Sequence, residues 1–301
     1  MSPSSNSLQD IAGLDGTFAV VAIDQRNTLK RMYAAAGQPD VTDDELISFK
    51  ADVLGCMDNA SAVLIDPSYG VPALSRLGGR PPTGVLIAAE PSDRGTFGDE
   101  PRVTRDPVQD AAWVRAGGGH ALKYLVQIRA DRPAVPGEPD LAAEGLDVVR
   151  EVIADCRAAG VPSVIENLIY TLPGEQLDPH RRAEAIIEAA VALDQLGPDL
   201  LKLEYPGSPQ ACRRLAASIT TPWAVLSAGV DFDEFADVLR ISCDDGGASG
   251  FIAGRAVWKD AVGMSPDERR RFLADEGKRR LDGCIDAIKG RAQRWDEVIG
   301  S

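Results

Sequence analysis

Leu200-Leu201-Lys202-Leu203-Glu204-Tyr205-Pro206 is a short apolar run that carries a lysine and a glutamate two residues apart and stops at a proline. Read as a strand of period two, it places Lys202 and Glu204 on one face and Leu201, Leu203 and Tyr205 on the other. Working outward, seven more short runs have the same near-continuous apolar character: 18–24 (FAVVAID), 62–67 (AVLIDP), 84–90 (GVLIAAE), 120–126 (HALKYLV), 163–167 (SVIEN), 223–229 (WAVLSAG) and 250–255 (GFIAGR). Strands that read this way are buried on both faces, as in a parallel sheet covered by helices.

Helical patterns fall between them. Thr42-Asp43-Asp44-Glu45 is a capping box that opens a helix with Leu46, Phe49, Val53 and Met57 on one face. Residues 108–116 and 235–241 read as helices, and 181–196 as one closed by Gly197-Pro198. In Leu141–Ala159 the residues Leu146, Val149, Ile153 and Cys156 are in register, and Gly160 and Pro162 end the helix. Residues 91–106 form a polar connection. Eight buried-type strands, each followed by a helix or helix-like segment, predict a (β/α)8 TIM barrel. The expectation is a single domain over 1–301 with its core at 18–258. A short N-terminal helix at 8–12 closes one end, and a charged helical extension at 265–301 packs through Phe272, Leu281, Ile285 and Ile288. The rival is a doubly wound open sheet, and the absence of a GxGxxG turn after the first strand argues against it.

Composition narrows the function. A formal charge of −14 over 301 residues argues against general nucleic-acid or anionic-membrane binding, which need a cationic surface. Anionic small molecules remain open, since they need only a local cluster of positive charge. The five cysteines form no CxxC pair and read as reduced, buried thiols of a cytoplasmic protein. The two histidines, His120 and His180, are sixty residues apart, so no histidine-based metal centre is expected, and no cofactor. The N-terminus lacks the basic and apolar regions of a signal peptide, and no apolar run approaches the ~20 residues of a membrane span.

In a barrel the reacting groups sit at the C-terminal ends of the strands. Here those positions hold Asp24 (first), Lys123 (fourth), Glu166 (fifth) and Lys202 (sixth). For any one of them a structural ion pair is the better reading, but two lysines and two acids inside apolar strands point to use, because buried charge is costly. A lysine held near another cation and partly desolvated gives up its proton more easily and can attack a carbonyl. Lys202 with Lys123 fits that arrangement, with Glu166 as proton carrier and Asp24 orienting a lysine or a substrate hydroxyl. The seventh and eighth loops, Leu226-Ser227-Ala228-Gly229 and Ala253-Gly254-Arg255-Ala256, suit an anion. Of the loop arginines Arg26, Arg94, Arg102, Arg129 and Arg132, solvated charge is the plain reading for all but Arg26, which follows Asp24-Gln25 at the mouth. Trp258, Tyr124 and the methionines read as packing.

AIDQRNTLKRM, LIDPSYGVPAL, ALKYL, IEN, LLKLEYP, LSAGV and GASGFIAGRAVW together resemble the class I aldolases that include tagatose-1,6-bisphosphate aldolase and 6-deoxy-6-sulfofructose-1-phosphate aldolase. The similarity runs from about Phe18 to Trp258 with motif order retained. It implies a lyase that cleaves a ketose 1-phosphate, tagatose-bisphosphate-like or sulfofructose-phosphate-like, to dihydroxyacetone phosphate and a three-carbon aldehyde. The family's imine lysine matches Lys202, its proton-transfer glutamate Glu166, and its supporting lysine and aspartate Lys123 and Asp24. Its substrate-anion contacts match Gln25, Arg26, Ser227, Gly229, Gly254 and Arg255. The loop from Leu168 to His180 matches neither subfamily, which leaves the far end of the substrate open between phosphate, sulfonate and neither. The implied partner is thus a sugar phosphate or sulfosugar phosphate; the charged C-terminal segment is a candidate contact for a homo-oligomer. A non-catalytic sugar-phosphate sensor and a barrel isomerase or epimerase remain as alternatives.

Overall fold

Eight parallel strands form a closed ring in the computed structural model, which describes residues 5–78 and 84–300. They are β1 (Phe18–Ala22), β2 (Ala62–Ile65), β3 (Gly84–Ala88), β4 (Ala121–Val126), β5 (Ser163–Asn167), β6 (Leu200–Leu203), β7 (Trp223–Val225) and β8 (Gly250–Ala253). Each pairs with its sequence neighbours, and β8 closes on β1 with Phe18 opposite Gly250. With helices between successive strands, this is a (β/α)8 barrel. The first four residues of the N-terminal stretch, and 79–83 and 301, lie outside the described residues.

The period of two sorts every strand into a lumen face and a helix face. Phe18, Val20, Ala22, Leu64, Leu86, Ala88, Ala121, Val164, Leu200 and Ile252 fill the lumen, while Ala19, Val21, Ile23, Val63, Ile87, Leu122, Ile165 and Leu201 pack outward against the helices. Two residues beyond the lumen's last apolar side chain, the same face turns charged: Ala22 is followed by Asp24, Ala88 by Glu90, Ala121 by Lys123, Val164 by Glu166 and Leu200 by Lys202. One layer of the barrel therefore separates a dry core from the chemistry above it.

Leu8 and Ile11, on and just after a single 3-10 turn (Leu8–Asp10), join the lumen core from below and close the floor as expected. The approach is tight: a Cβ on Gly84 would stand 2.1 Å from the carbonyl of Asp10. Thr42 caps the helix Asp43–Cys56, and its expected face of Leu46, Phe49, Val53 and Met57 is buried. Leu141–Ala159 has the expected bounds, with Asp140 as N-cap. Trp258 packs edge-on to Phe49 at 5.6 Å and donates from Nε1 to the carbonyl of Ala22, 3.0 Å away.

Several local features differ from the sequence reading. The connection at 91–106 contains an antiparallel hairpin, Gly95–Phe97 with Glu100–Arg102. Helices at Asn27–Ala35, Gly70–Arg76 and Pro209–Ala216 are too short for their periodicity to stand out. The extension at 265–301 is not one helix: Pro266–Phe272, a π-helical stretch Leu273–Gly277 and Lys278–Ile288 run on, and after a break Trp295–Ile299 lies apart. Its charged surface is docked, with Arg269 donating to Asp52 at 2.7 Å and Lys278 to Asp58 at 2.7 Å. Among the described residues no helix is long and apolar enough to cross a membrane.

Candidate active site

The charged layer surrounds a cavity of about 250 Å³ at the C-terminal mouth. Glu166 and Lys202 are register partners on β5 and β6, so their side chains point into the lumen together. Lys202 Nζ lies 3.0 Å from Glu166 Oε2, and the same oxygen lies 2.8 Å from Lys123 Nζ. Lys123 also donates to Asp24 Oδ2 at 2.8 Å and to Glu90 Oε1 at 3.0 Å. All four residues proposed from the strand ends therefore meet in one cluster, each at least nine-tenths buried.

Glu90, absent from that set, is the fifth member. It accepts from the Leu125 amide at 3.1 Å, and Arg26 donates to its carboxylate at 3.3 Å and to its carbonyl at 3.0 Å. The signal was available, because Glu90 ends an apolar strand as the others do. Glu204, which the period-two reading set beside Lys202, leaves the cavity instead. It accepts from the Ile169 amide at 2.9 Å and from Arg182 at 2.5 Å.

The electrostatics assign different states to these groups. Burial opposes the charge on Lys123, but Asp24, Glu166 and Glu90 outweigh it and keep this ammonium protonated far above the usual lysine range. Burial likewise raises Asp24 and Glu166, and the ammoniums of Lys123 and Lys202 overturn it, holding both carboxyls below the usual range. Lys123 is thus a fixed cation that keeps Glu166 ionised. Lys202 contacts one carboxylate and opens onto the cavity, with space beside it for a ligand.

The residues expected to contact the substrate anion lie at the rim. Gln25, Arg26, Ser227, Gly254 and Arg255 all line the cavity. The Oε1 of Gln25 is buried with no donor, an acceptor free for a hydroxyl. Gly229 is not in the lining. Its φ of 92° follows Ala228 at 48°, and a Cβ there would stand 2.9 Å from Arg255 Nη1. A side chain at position 229 would therefore press on the Arg255 guanidinium.

The loop arginines divide in a way the sequence reading did not anticipate. Arg129 and Arg132 are not solvated charges: the side chains of both are covered, Arg129 against Asp131 and Glu175, Arg132 against Glu100 and Glu138. Arg129 also donates to the Tyr170 carbonyl at 2.7 Å, so this network fastens the loop after β5 to the wall, and only its first residue, Leu168, reaches the cavity. Arg102 pairs with Glu144 at 2.8 Å on the outside. Arg31, Arg94 and Arg255 line the cavity, and among the described residues none has a carboxylate partner.

The sequence profile of the DeoC/LacD family aldolases matches residues 18–260. The chain belongs to that family. Among its relatives, tagatose 1,6-diphosphate aldolase 2 of Streptococcus pyogenes serotype M6 is 28% identical over 95% of each chain. Tagatose 1,6-diphosphate aldolase 1 of serotype M1 is 26% identical over 94% of this chain and 95% of that one. Solved structures share the fold at lower identity. An archaeal fructose 1,6-bisphosphate aldolase superposes with a TM-score of 0.62 at 15% identity, covering 93% of this chain and 96% of that one. Cgl0159 of Corynebacterium glutamicum superposes with 0.66 at 18%, covering 93% and 88%. The protein is thus a class I aldolase, a carbon–carbon lyase, on a (β/α)8 scaffold.

Proposed function

We propose that this aldolase cleaves a ketose 1-phosphate bearing a second anionic group at its far end, through an imine on Lys202, to dihydroxyacetone phosphate and a three-carbon aldehyde. The observation that carries the reading is the placement of Lys202 Nζ on the cavity wall, 3.0 Å from an ionised carboxylate. Lys202 passes a proton to Glu166 and attacks the C2 carbonyl; Glu166 returns that proton to the carbinolamine hydroxyl, which leaves as water. In the protonated imine Glu166 takes the C4 hydroxyl proton, the C3–C4 bond breaks and the electron pair enters the imine. The aldehyde departs, the enamine is protonated at C3, and water releases dihydroxyacetone phosphate. Asp24 holds Lys123, and Lys123 holds Glu166 in place and favours its return to the ionised form between proton transfers.

Arg255, Ser227 and the backbone at Gly254 suit the 1-phosphate, and Gln25 a sugar hydroxyl. Arg31, on the helix Asn27–Ala35 after β1, and Arg94, on the loop after β3, suit an anion at C6. Relatives named for tagatose 1,6-diphosphate favour a phosphate there; a sulfonate offers the same three oxygens with less charge. The test is a screen of tagatose and fructose 1,6-bisphosphates, 6-deoxy-6-sulfofructose 1-phosphate and fructose 1-phosphate, read by dihydroxyacetone phosphate release. It is paired with borohydride trapping of dihydroxyacetone phosphate. Irreversible mass on Lys202, lost in Lys202→Met together with turnover, is the expected result. Binding with no trapping would mark a sensor, and conversion with no cleavage an isomerase; either outcome overturns the proposal.

A further inference from the structure

Lys50 is a lysine in the apolar stripe of a helix. Its neighbours on that face, Leu46, Phe49 and Val53, are fully buried, and Lys50 is buried with them at 0% exposure. A salt bridge in such a place is usually no more stable than the hydrophobic residues that would replace it. What the pair does contribute is geometric.

The three protons of Lys50 Nζ meet three acceptors: the carbonyl of Ile23 at 2.6 Å, the carbonyl of Gln25 at 2.8 Å and the carboxylate of Asp66. Asp66 is oriented in turn by the Tyr69 amide at 2.8 Å and the Gly70 amide at 3.1 Å. Ile23 and Gln25 flank Asp24, whose carboxylate holds Lys123. One ammonium thus grips the backbone on both sides of a residue in the reacting cluster and aims the Asp24–Arg26 segment at the cavity.

We propose that Lys50, with Asp66 as its counter-ion, is a positioning residue for catalysis that acts through Asp24. It sits behind the first strand, on the helix side, and touches no substrate. The inference rests on the reading of Asp24 as part of the catalytic cluster. If Asp24 were only structural, Lys50 would be a stability device alone.

The direct variant, Lys50→Met, leaves Asp66 buried without a partner and is open to misfolding. The double variant Lys50→Met/Asp66→Asn removes both charges, and it is made in the native and in the Asp24→Asn background. The expected result is a fall in kcat of about 30- to 100-fold in the native background and less than threefold in the Asp24→Asn background, with Lys202 still trapped by borohydride. Non-additivity of this kind is the signature of residues acting as one unit. An equal loss in both backgrounds, or none in the native one, overturns the proposal. Failure of the Lys202 reading shows separately, as absence of trapping in the unsubstituted enzyme.

Discussion

Glu166 Oε2 stands 3.0 Å from Lys202 and 2.8 Å from Lys123, so one carboxylate oxygen serves two ammoniums of different duty. Lys123 is locked by three acids, whereas Lys202 has a single acid and an open side. On the proposed role of Glu166 as proton carrier, the expected consequence of Glu166→Gln is a loss of about 10²–10⁴ in kcat with little change in KM. Steady-state kinetics coupled to dihydroxyacetone phosphate detection checks this; an unchanged kcat would assign the proton transfer elsewhere.

Gly229 and Arg255 give a test of the phosphate end. Gly229→Ala forces a side chain onto a left-handed backbone and against the guanidinium. Arg255→Met removes the charge itself, and a charge-assisted hydrogen bond is worth about 1.5–3 kcal/mol, or roughly 10- to 150-fold in binding. Both variants are expected to raise KM for a ketose 1-phosphate by at least tenfold. Equal KM values in variant and native enzyme would move the phosphate away from this loop.

Arg31→Met and Arg94→Met address the other end. Each is expected to raise KM about two- to fivefold for a substrate with an anion at C6 and to leave fructose 1-phosphate unaffected. If both substrates suffer alike, these arginines do not read the far group.

The pH dependence of stability follows from the buried charges. Asp24 and Glu166 have depressed pKa values in the fold, so their contribution is present above about pH 4, the unfolded carboxylate value, and is lost as pH falls through the folded one. Lys123→Met removes the cation that Asp24, Glu90 and Glu166 share; Glu90 keeps Arg26 and Glu166 keeps Lys202, but buried Asp24 loses its direct ion pair, a change of about 3–5 kcal/mol. The Asp24 carboxyl then favours protonation, which reverses the slope: the variant is expected to melt higher at pH 5 than at pH 8. Thermal melts of both proteins across that range decide it, and parallel curves would refute the arrangement.

At alkaline pH the thiols take over. Burial pushes Cys156, Cys212, Cys243 and Cys284 up to about 12. An unfolded thiol ionises near 8.5, so above about pH 9 each one costs about 1.4 kcal/mol per pH unit. Melting temperature is expected to fall steeply from pH 9 to 11. Serine at Cys284, whose side chain does not ionise in this range, flattens that fall; an unaltered slope would be inconsistent with the account.

The barrel was legible because the strands are apolar on both faces and evenly spaced, and the ends of four of them carried the cluster. Glu90 obeyed the same rule, as the last residue of the run 84–90, and was left out of the set although that signal was there. Lys50 was hidden for another reason. A lysine beside Phe49 in an amphipathic helix reads as a flank that reaches solvent, and only its carbonyl partners at Ile23 and Gln25, more than twenty residues away, reveal it as interior. Arg129 and Arg132 were misread likewise, since no local pattern announces that Glu100 and Glu175 come from other loops. The hairpin at 95–102 is too short to show an alternation.

Leu8 and Ile11 plug the underside of the ring, and this has a bearing on the order of events during turnover. On the proposed chemistry, substrate and both products then share the upper rim, where the cavity of the described residues opens. On that same chemistry three carbons stay tethered to Lys202 while the free aldehyde leaves past them, and only then does water cut the tether. Product departure on that reading is sequential by construction.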